Sequence, residues 1–275
     1  MKEVFGFDAF SPKEIANRVD SIGVTKVQLP ILSMIMLGIM AGVFIGLGAM
    51  YYVLVVSDPN LGFASGRILG GLSFSLGLIM VVVAGAELFT GNNLLAMAWA
   101  DGKVTTIEVL KNWGIVCCAN FIGAIIIAFL VYHSGHLKMN NGLIESQYLK
   151  IAVTKCSISP ERAIFSGMLC NILVCLAVWM SFAGRSVLDK IVAIILPVSA
   201  FVAAGFEHSI ANMYFIIMGI FLKGDHPEFS GVDTIGLTGF FNNLGPVIAG
   251  NLIGGSVFVA IIYYIIYKRG GSTKP

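Results

Sequence analysis

The chain consists of long apolar runs separated by short polar breaks. Apolar runs of about 18 residues or more, with few charges, predict membrane-spanning helices. Six such spans are predicted, over residues 30–56, 67–99, 113–132, 162–183, 189–222 and 243–267. The breaks between them are predicted to be loops, and the two longest cover 133–161 and 223–242.

The amino-acid composition excludes several other classes of protein. Of the 275 residues, 57% are hydrophobic and 12% are charged, whereas a soluble domain has about 45–50% apolar and about 25% charged residues. A soluble enzyme and a disordered chain are therefore excluded. The net charge of +2 does not indicate nucleic-acid binding, and five cysteines without a CxxC pair do not predict a disulfide framework. Since no metal-ligand spacing, catalytic triad or phosphate loop is present, neither enzymatic activity nor a cofactor is predicted.

Basic residues predict the orientation of the chain in the membrane. With the N-terminus in the cytoplasm, eleven of the 17 Lys and Arg residues fall on the cytoplasmic side and six on the other side. Both termini are therefore predicted to be cytoplasmic.

A separate helix is predicted before the first span, over residues 11–28. Residues 11–14, Ser-Pro-Lys-Glu, form a capping box with Pro at the first helical position. Ile15, Val19 and Ile22 then fall on one face. Two interpretations remain open: an amphipathic helix lying at the membrane interface, or a short helix packed on a neighbouring segment.

The second and fifth spans are too long for straight helices across a bilayer. Each has about 33 residues, which as a helix would cover about 50 Å against a hydrocarbon core of about 30 Å. Steep tilt would absorb part of this length. Each span also carries Gly and polar residues near its middle, so interrupted helices are predicted at about 85–93 and 205–212.

The two interrupted segments belong to an internal repeat. Residues 85–92 align with 205–212, with Gly, Glu and Asn in register, and residues 112–123 align with 243–254. Because each repeat has three spans, the second must cross the membrane in the opposite sense to the first. Inverted repeats with broken helices are typical of transport proteins, with the site at the repeat interface.

Broken helices also bear on the chemistry of the site. A break exposes backbone N–H groups with partial positive charge, which favours anions. Glu87 and Glu207, one in each repeat, are interpreted as structural carboxylates that accept hydrogen bonds from these N–H groups. His208 has no counterpart, since Leu88 occupies the equivalent position. It is either a bridge between helices or a pathway residue that donates a hydrogen bond or a proton to an anion.

These segments resemble the formate/nitrite transporter family. The resemblance rests on Gly-Ala-Glu-Leu-Phe-Thr-Gly at 85–91, Gly-Met-Leu-Cys-Asn at 167–171 and Gly-Phe-Glu-His-Ser-Ile-Ala-Asn at 205–212, and it covers essentially the whole chain. It implies a homopentamer of aquaporin-like protomers, each with its own pore for a small anion such as formate. The loop at 90–93, Thr-Gly-Asn-Asn, is less rich in Ser and Thr than expected for a formate channel, so nitrite and hydrosulfide remain alternatives.

The resemblance also implies roles for individual residues. Thr90 would face His208, Asn171 would contact the anion and Lys155 would raise the local anion concentration. The expected constrictions are lined by Leu78, Leu88 and Phe89 on the cytoplasmic side and by Phe74 and Phe201 on the outer side. The expected supporting residues are Glu207, Asn212 and Glu87.

The overall prediction is an all-α channel with six spans in the bacterial inner membrane. It comprises a cytoplasmic N-terminal helix in 1–29, a channel domain in 30–267 with repeats at 30–132 and 162–267, and a cytoplasmic tail in 268–275. A neutral-solute pore and a membrane scaffold are the alternatives from other classes. The sequence does not identify a cytoplasmic protein partner.

Overall fold

The computed structural model describes residues 9–269. This part of the chain consists of helices joined by turns and short loops, and no strand occurs there. Residues 270–275, most of the predicted tail, lie outside the described residues. The helices are α1 Pro12–Val27, α2 Ile31–Val56, α3 Phe63–Gly85, α4 Leu95–Ala100, α5 Thr106–His133, α6 Leu143–Cys156, α7 Pro160–Ser181, α8 Val187–Ala204, α9 Ser209–Leu222 and α10 Leu237–Tyr267.

Six of these helices are long and apolar enough to cross a membrane: α2, α3, α5, α7, α8 and α10. They correspond in order to the six predicted spans. Helix α5 begins earlier than predicted, because Thr105 and Glu108 form a capping box ahead of the apolar run.

Both long apolar runs are divided between two helices. Helix α3 ends at Gly85, which has a positive φ of 86°, and the chain becomes helical again only at Gly91. Helix α8 ends before Gly205, which has a φ of 75°, and α9 begins at Ser209. Glycine adopts this left-handed conformation without the steric cost of a side chain. The helix therefore ends at the same residue type in both repeats.

The prediction of a loop over 133–161 is wrong, because residues 143–156 form α6. The charged and polar residues of this segment make the helical spacing of its apolar residues difficult to recognise in the sequence. Ile144, Tyr148 and Ala152 recur at every fourth position and are fully buried. This spacing is typical of a helix with one buried face.

Helix α1 has the predicted capping box. The Ser11 backbone N–H donates to Glu14 Oε2 at 2.8 Å, and this hydrogen bond lowers the pKa of the Glu14 carboxyl. Ile15 and Val19 are buried, and α1 packs on α4. The helix therefore packs on another segment of the chain, and its position at the membrane interface stays a prediction.

Ion pairs connect α1 to distant parts of the chain. Asp20, which is buried, pairs with Lys103 in the turn after α4 and with Lys268 after α10. The hydrogen bond from Lys103 to Asp20 raises the pKa of Lys103. These contacts bring both ends of the described chain to one side of the molecule.

The internal repeat is confirmed and is longer than predicted. Helix α2 packs on α5 as α7 packs on α10, and α1 packs on α4 as α6 packs on α9. Each repeat therefore contains five helices, with α6 as the counterpart of α1. Helices α3 and α8 pack on each other and join the two repeats.

Candidate functional site

The two helix breaks meet at a contact between Thr90 and His208. Thr90 Oγ1 lies 3.0 Å from His208 Nε2, and both side chains are buried. His208 also caps α9, because its Nδ1 accepts a hydrogen bond from the Ala211 backbone N–H at 3.2 Å. A nitrogen that accepts carries no proton, so this contact assigns the proton of the neutral imidazole to Nε2. Nε2–H then donates to the Thr90 hydroxyl.

Asn171 holds the backbone of the Thr90 segment. Its Nδ2 lies 3.3 Å from the Thr90 carbonyl oxygen, 2.7 Å from Asn93 Oδ1 and 2.7 Å from the Asn251 carbonyl oxygen. Asn171 Oδ1 is buried and has no hydrogen-bond partner within residues 9–269. The Asn171 amide group therefore supports the Thr90 segment, and its contact with an anion stays a prediction.

Glu87 accepts hydrogen bonds from side chains of the first repeat. Lys26 Nζ donates to Glu87 Oε1 at 2.7 Å, and Asn92 Nδ2 donates to Glu87 Oε2 at 2.7 Å. Asn92 Nδ2 also donates to Asn112 Oδ1 at 2.9 Å. The carboxylate is thus paired with a lysine next to the first helix break.

Glu207 has the same partners in the second repeat. Lys155 Nζ lies 3.1 Å from both of its carboxylate oxygens, and Asn212 Nδ2 donates to Oε2 at 2.6 Å. Asn212 Nδ2 donates in turn to Asn243 Oδ1 at 2.8 Å. The two networks correspond residue by residue, which is strong evidence for the repeat.

The backbone N–H groups at the breaks are bound by asparagines. Asn120 Oδ1 accepts from the Phe89 N–H at 2.9 Å, and Asn251 Oδ1 accepts from the Ser209 N–H at 3.0 Å. The interpretation that Glu87 accepts from N–H groups at its break is therefore wrong, and the same holds for Glu207. Asparagine fits this position because its amide both accepts from an N–H and donates to a carbonyl.

The predicted constriction residues divide between two cavities. The α1-side cavity, of about 400 Å³, is lined by Leu78 and Leu88. The α6-side cavity, of about 780 Å³, is lined by Phe74, Phe201 and His208. Phe89 lines neither of them. Within residues 9–269, no group of three or more His, Cys, Asp or Glu side chains could hold a metal ion.

Aromatic contacts surround the histidine on the α6 side. The rings of Phe74 and Phe201 meet edge to face, with centroids 5.8 Å apart. The Phe201 ring is stacked on the His208 ring at 5.9 Å. All three side chains are buried and line the α6-side cavity, so the two phenylalanines form an apolar wall of this cavity beside His208.

Lys26 was missed as a site residue, although the sequence contains a signal for it. Lys26 precedes Gly38 by twelve residues, and Lys155 precedes Gly167 by the same spacing. Asn120 Nδ2 donates to the Gly38 carbonyl oxygen just as Asn251 Nδ2 donates to that of Gly167. Extending the repeat towards the N-terminus would have found this lysine.

Comparison with known proteins gives a family and a fold. The formate/nitrite transporter family matches residues 13–265. The chain is 39% identical to formate channel FocA of Escherichia coli strain K12, over 98% of each protein. A solved structure described as a pentameric formate channel with formate bound has a TM-score of 0.79 and 39% identity, covering 86% of this chain and 97% of that one.

A more distant structure supports the fold alone. The aquaglyceroporin from Plasmodium falciparum has a TM-score of 0.55 at 15% identity, covering 87% of this chain and 98% of that chain. The aquaporin-like fold predicted from the sequence is therefore confirmed.

Proposed function

Because this chain belongs to the formate/nitrite transporter family, we propose that it is a channel for small monovalent anions of weak acids, with formate as its first substrate. Its relative is a formate channel, and the similar solved structure is a pentamer. By the same likeness, the functional form of this multi-pass membrane protein is a homopentamer with one pore in each protomer. It lies in the bacterial inner membrane with both termini in the cytoplasm.

The contact between Thr90 and His208 is the single observation that carries this function. It joins the two breaks of an inverted repeat, and the α6-side cavity reaches His208. An anion without partners at the centre of a bilayer is costly. The Thr90 hydroxyl, which accepts from the His208 N–H, would offset this cost by donating its own hydrogen bond to the anion.

The helix pieces on either side of each break would together cross the membrane as one interrupted span. Phe74 and Phe201 would form the outer constriction, and Leu78 and Leu88 would form the cytoplasmic one, with Phe89 packed behind them. The anion would shed water at each constriction and regain hydrogen bonds between them.

In its neutral form His208 would act as a hydrogen-bond donor and not as an acid. Its Nδ1 accepts from Ala211, so the neutral ring holds one proton, on Nε2. Losing that proton would leave an imidazolate, which is too basic to form near neutral pH. Protonating the anion therefore requires the doubly protonated ring, in which the hydrogen bond from Ala211 is broken.

Flux measurements in proteoliposomes test this function. We expect the purified protein to conduct formate at about pH 5–8, the range in which a histidine changes charge, and to release it chemically unchanged. Nitrite and hydrosulfide, measured in parallel, separate the branches of the family. Glycerol flux without anion flux would contradict the proposal and favour a neutral-solute pore. The absence of any flux would favour a scaffold, and conversion of formate into another compound would favour an enzyme.

A further inference from the structure

The two cavities differ in their charge. Among residues 9–269, the only charged residues that line the α1-side cavity are Lys26 and Glu87, which form an ion pair with each other. The α6-side cavity has four basic and two acidic lining residues: Arg67, Lys150, Lys155, Arg162, Asp58 and Glu207. Anions at the mouth of the α6-side cavity therefore meet an excess of positive charge.

Lys155 contributes little to this excess. Its Nζ lies 3.1 Å from both oxygens of Glu207, and its side chain is 13% exposed. A paired lysine and carboxylate have almost no net charge at a distance. The charge that attracts anions must come from the other basic residues.

Arg67 is the best placed of these residues. Its guanidinium group makes no ion pair and no hydrogen bond within residues 9–269, and the side chain is half-buried, whereas Lys150 and Arg162 are exposed. One of its terminal nitrogens lies 3.4 Å from the position that a Cβ on Gly205 would take. A cation without an ion-pair partner among residues 9–269 therefore lies beside Gly205, where the second helix break begins. Gly205 precedes His208 by three residues in the sequence.

We propose that Arg67 binds the substrate anion at the mouth of the α6-side cavity, before the anion reaches Phe74 and Phe201. This inference rests on the proposed function. A planar guanidinium group donates two parallel hydrogen bonds to a carboxylate. The ligand class is therefore a small planar monovalent oxyanion, with formate as the probe. Positive charge inside a cleft also raises the local anion concentration.

Gly205 is the residue of the second helix break that lies next to Arg67. A Cβ there would only reach ordinary van der Waals distance from the guanidinium group, but the positive φ of Gly205 is strained for other residues. Gly205 is therefore needed to end the helix, and this end lies beside Arg67.

Formate transport by Arg67→Gln and Arg67→Lys tests this role. Initial rates are measured with formate added to either face, in right-side-out and in inverted vesicles. Arg67→Gln should raise the KM by about three- to tenfold when formate enters from the α6 side, with a smaller change in the maximal rate. Arg67→Lys keeps the charge but not the planar pair of donors, so it should recover only part of the loss.

The matched control is Lys138→Gln, which removes an exposed positive charge from the same side of the molecule outside the cavity. Asn140, two residues later, lies against Ser57 at the end of α2, which places Lys138 on that side. Lys138→Gln should transport like the unchanged protein. An Arg67→Gln KM equal to that of Lys138→Gln would overturn the proposal. An Arg67→Lys KM equal to that of the unchanged protein would overturn the role of the guanidinium group.

The dependence of KM on ionic strength provides a second measurement on the unchanged protein and Arg67→Gln. Raising ionic strength from about 0.01 M to about 0.15 M shortens the screening length from about 30 Å to about 8 Å. The KM for entry from the α6 side should rise more in the unchanged protein than in Arg67→Gln. Equal rises would overturn the role of Arg67, whereas the absence of formate flux in the unchanged protein would instead reject the proposed function.

Discussion

At the scale of single residues, the site depends on one hydrogen bond between a hydroxyl and an imidazole. His208 uses Nδ1 to cap α9 and Nε2 to reach Thr90. Because both nitrogen atoms of the ring have hydrogen-bond partners, the ring orientation is fixed. The Thr90 hydroxyl keeps its own proton free for a further acceptor, so the pair presents one donor towards the pathway.

Replacing Thr90 tests the importance of this hydroxyl. Thr90→Val removes the acceptor of the His208 Nε2–H, and a buried donor without a partner costs about 1–3 kcal/mol. We expect formate flux in proteoliposomes to fall by about tenfold or more. Thr90→Ser keeps the hydroxyl and should retain most of the flux. Full flux in Thr90→Val would contradict a direct role for the hydroxyl.

At the scale of helices, the close approach of α2 and α5 depends on glycine. A Cβ on Gly123 would overlap the Ile39 carbonyl oxygen and would lie 3.0 Å from the Gly42 Cα. The second repeat shows the same arrangement, because a Cβ on Gly254 would overlap the Met168 carbonyl oxygen. Small residues allow such contacts between membrane helices. The contacts place Asn120 within reach of the first break.

The substitution Gly123→Ala should therefore destabilise the protein. Overpacking of this kind costs about 1–3 kcal/mol, which would lower the thermal unfolding midpoint of the purified protein in detergent. Gly114→Ala on the same helix is the control, since nothing lies within 4 Å of its Cβ position. That variant should be neutral or more stable by up to about 1 kcal/mol. Equal effects of both substitutions would contradict the packing argument.

At the scale of the whole molecule, a lysine–glutamate pair recurs on opposite sides. Lys26 and Glu87 form it in the first repeat, and Lys155 and Glu207 form it in the second. Both carboxylates lie directly after a broken helix. The recurrence indicates a structural role, because a residue specific to the pathway need not occur in both halves.

Removing either lysine should destabilise the whole protein. Breaking a buried ion pair costs about 3–5 kcal/mol, and less where water reaches the charge. Lys155→Met should have the larger effect, since the Lys155 side chain is 13% exposed and that of Lys26 is 25% exposed. Adding Glu→Gln to each variant should recover part of the loss. Thermal unfolding of the four variants measures this, and a neutral Lys26→Met would show that the role does not recur.

Apolar runs in the sequence predicted the six helices long enough to span a membrane, and the glycines of the repeated motif predicted the helix ends near Gly85 and Gly205. The contact between Thr90 and His208 was implied only by the resemblance to the family. The sequence did not predict α6, since the polar residues of that helix obscured its buried face. The sequence also did not predict the hydrogen-bond partners of Glu87 and Glu207. A glutamate at a break accepts equally well from an N–H or from an amide, and only the packing of Asn120 and Asn251 decides between them.

The pH profile of formate flux with and without His208 tests the central claim most directly. Initial rates are measured in proteoliposomes at about pH 5–8 for the unchanged protein and for His208→Asn. Asparagine is a good helix cap, so this variant should fold and assemble. We predict that its flux loses the pH dependence of the unchanged protein, because no group at that position changes charge. A variant with the same flux as the unchanged protein at every pH would contradict a pathway through His208.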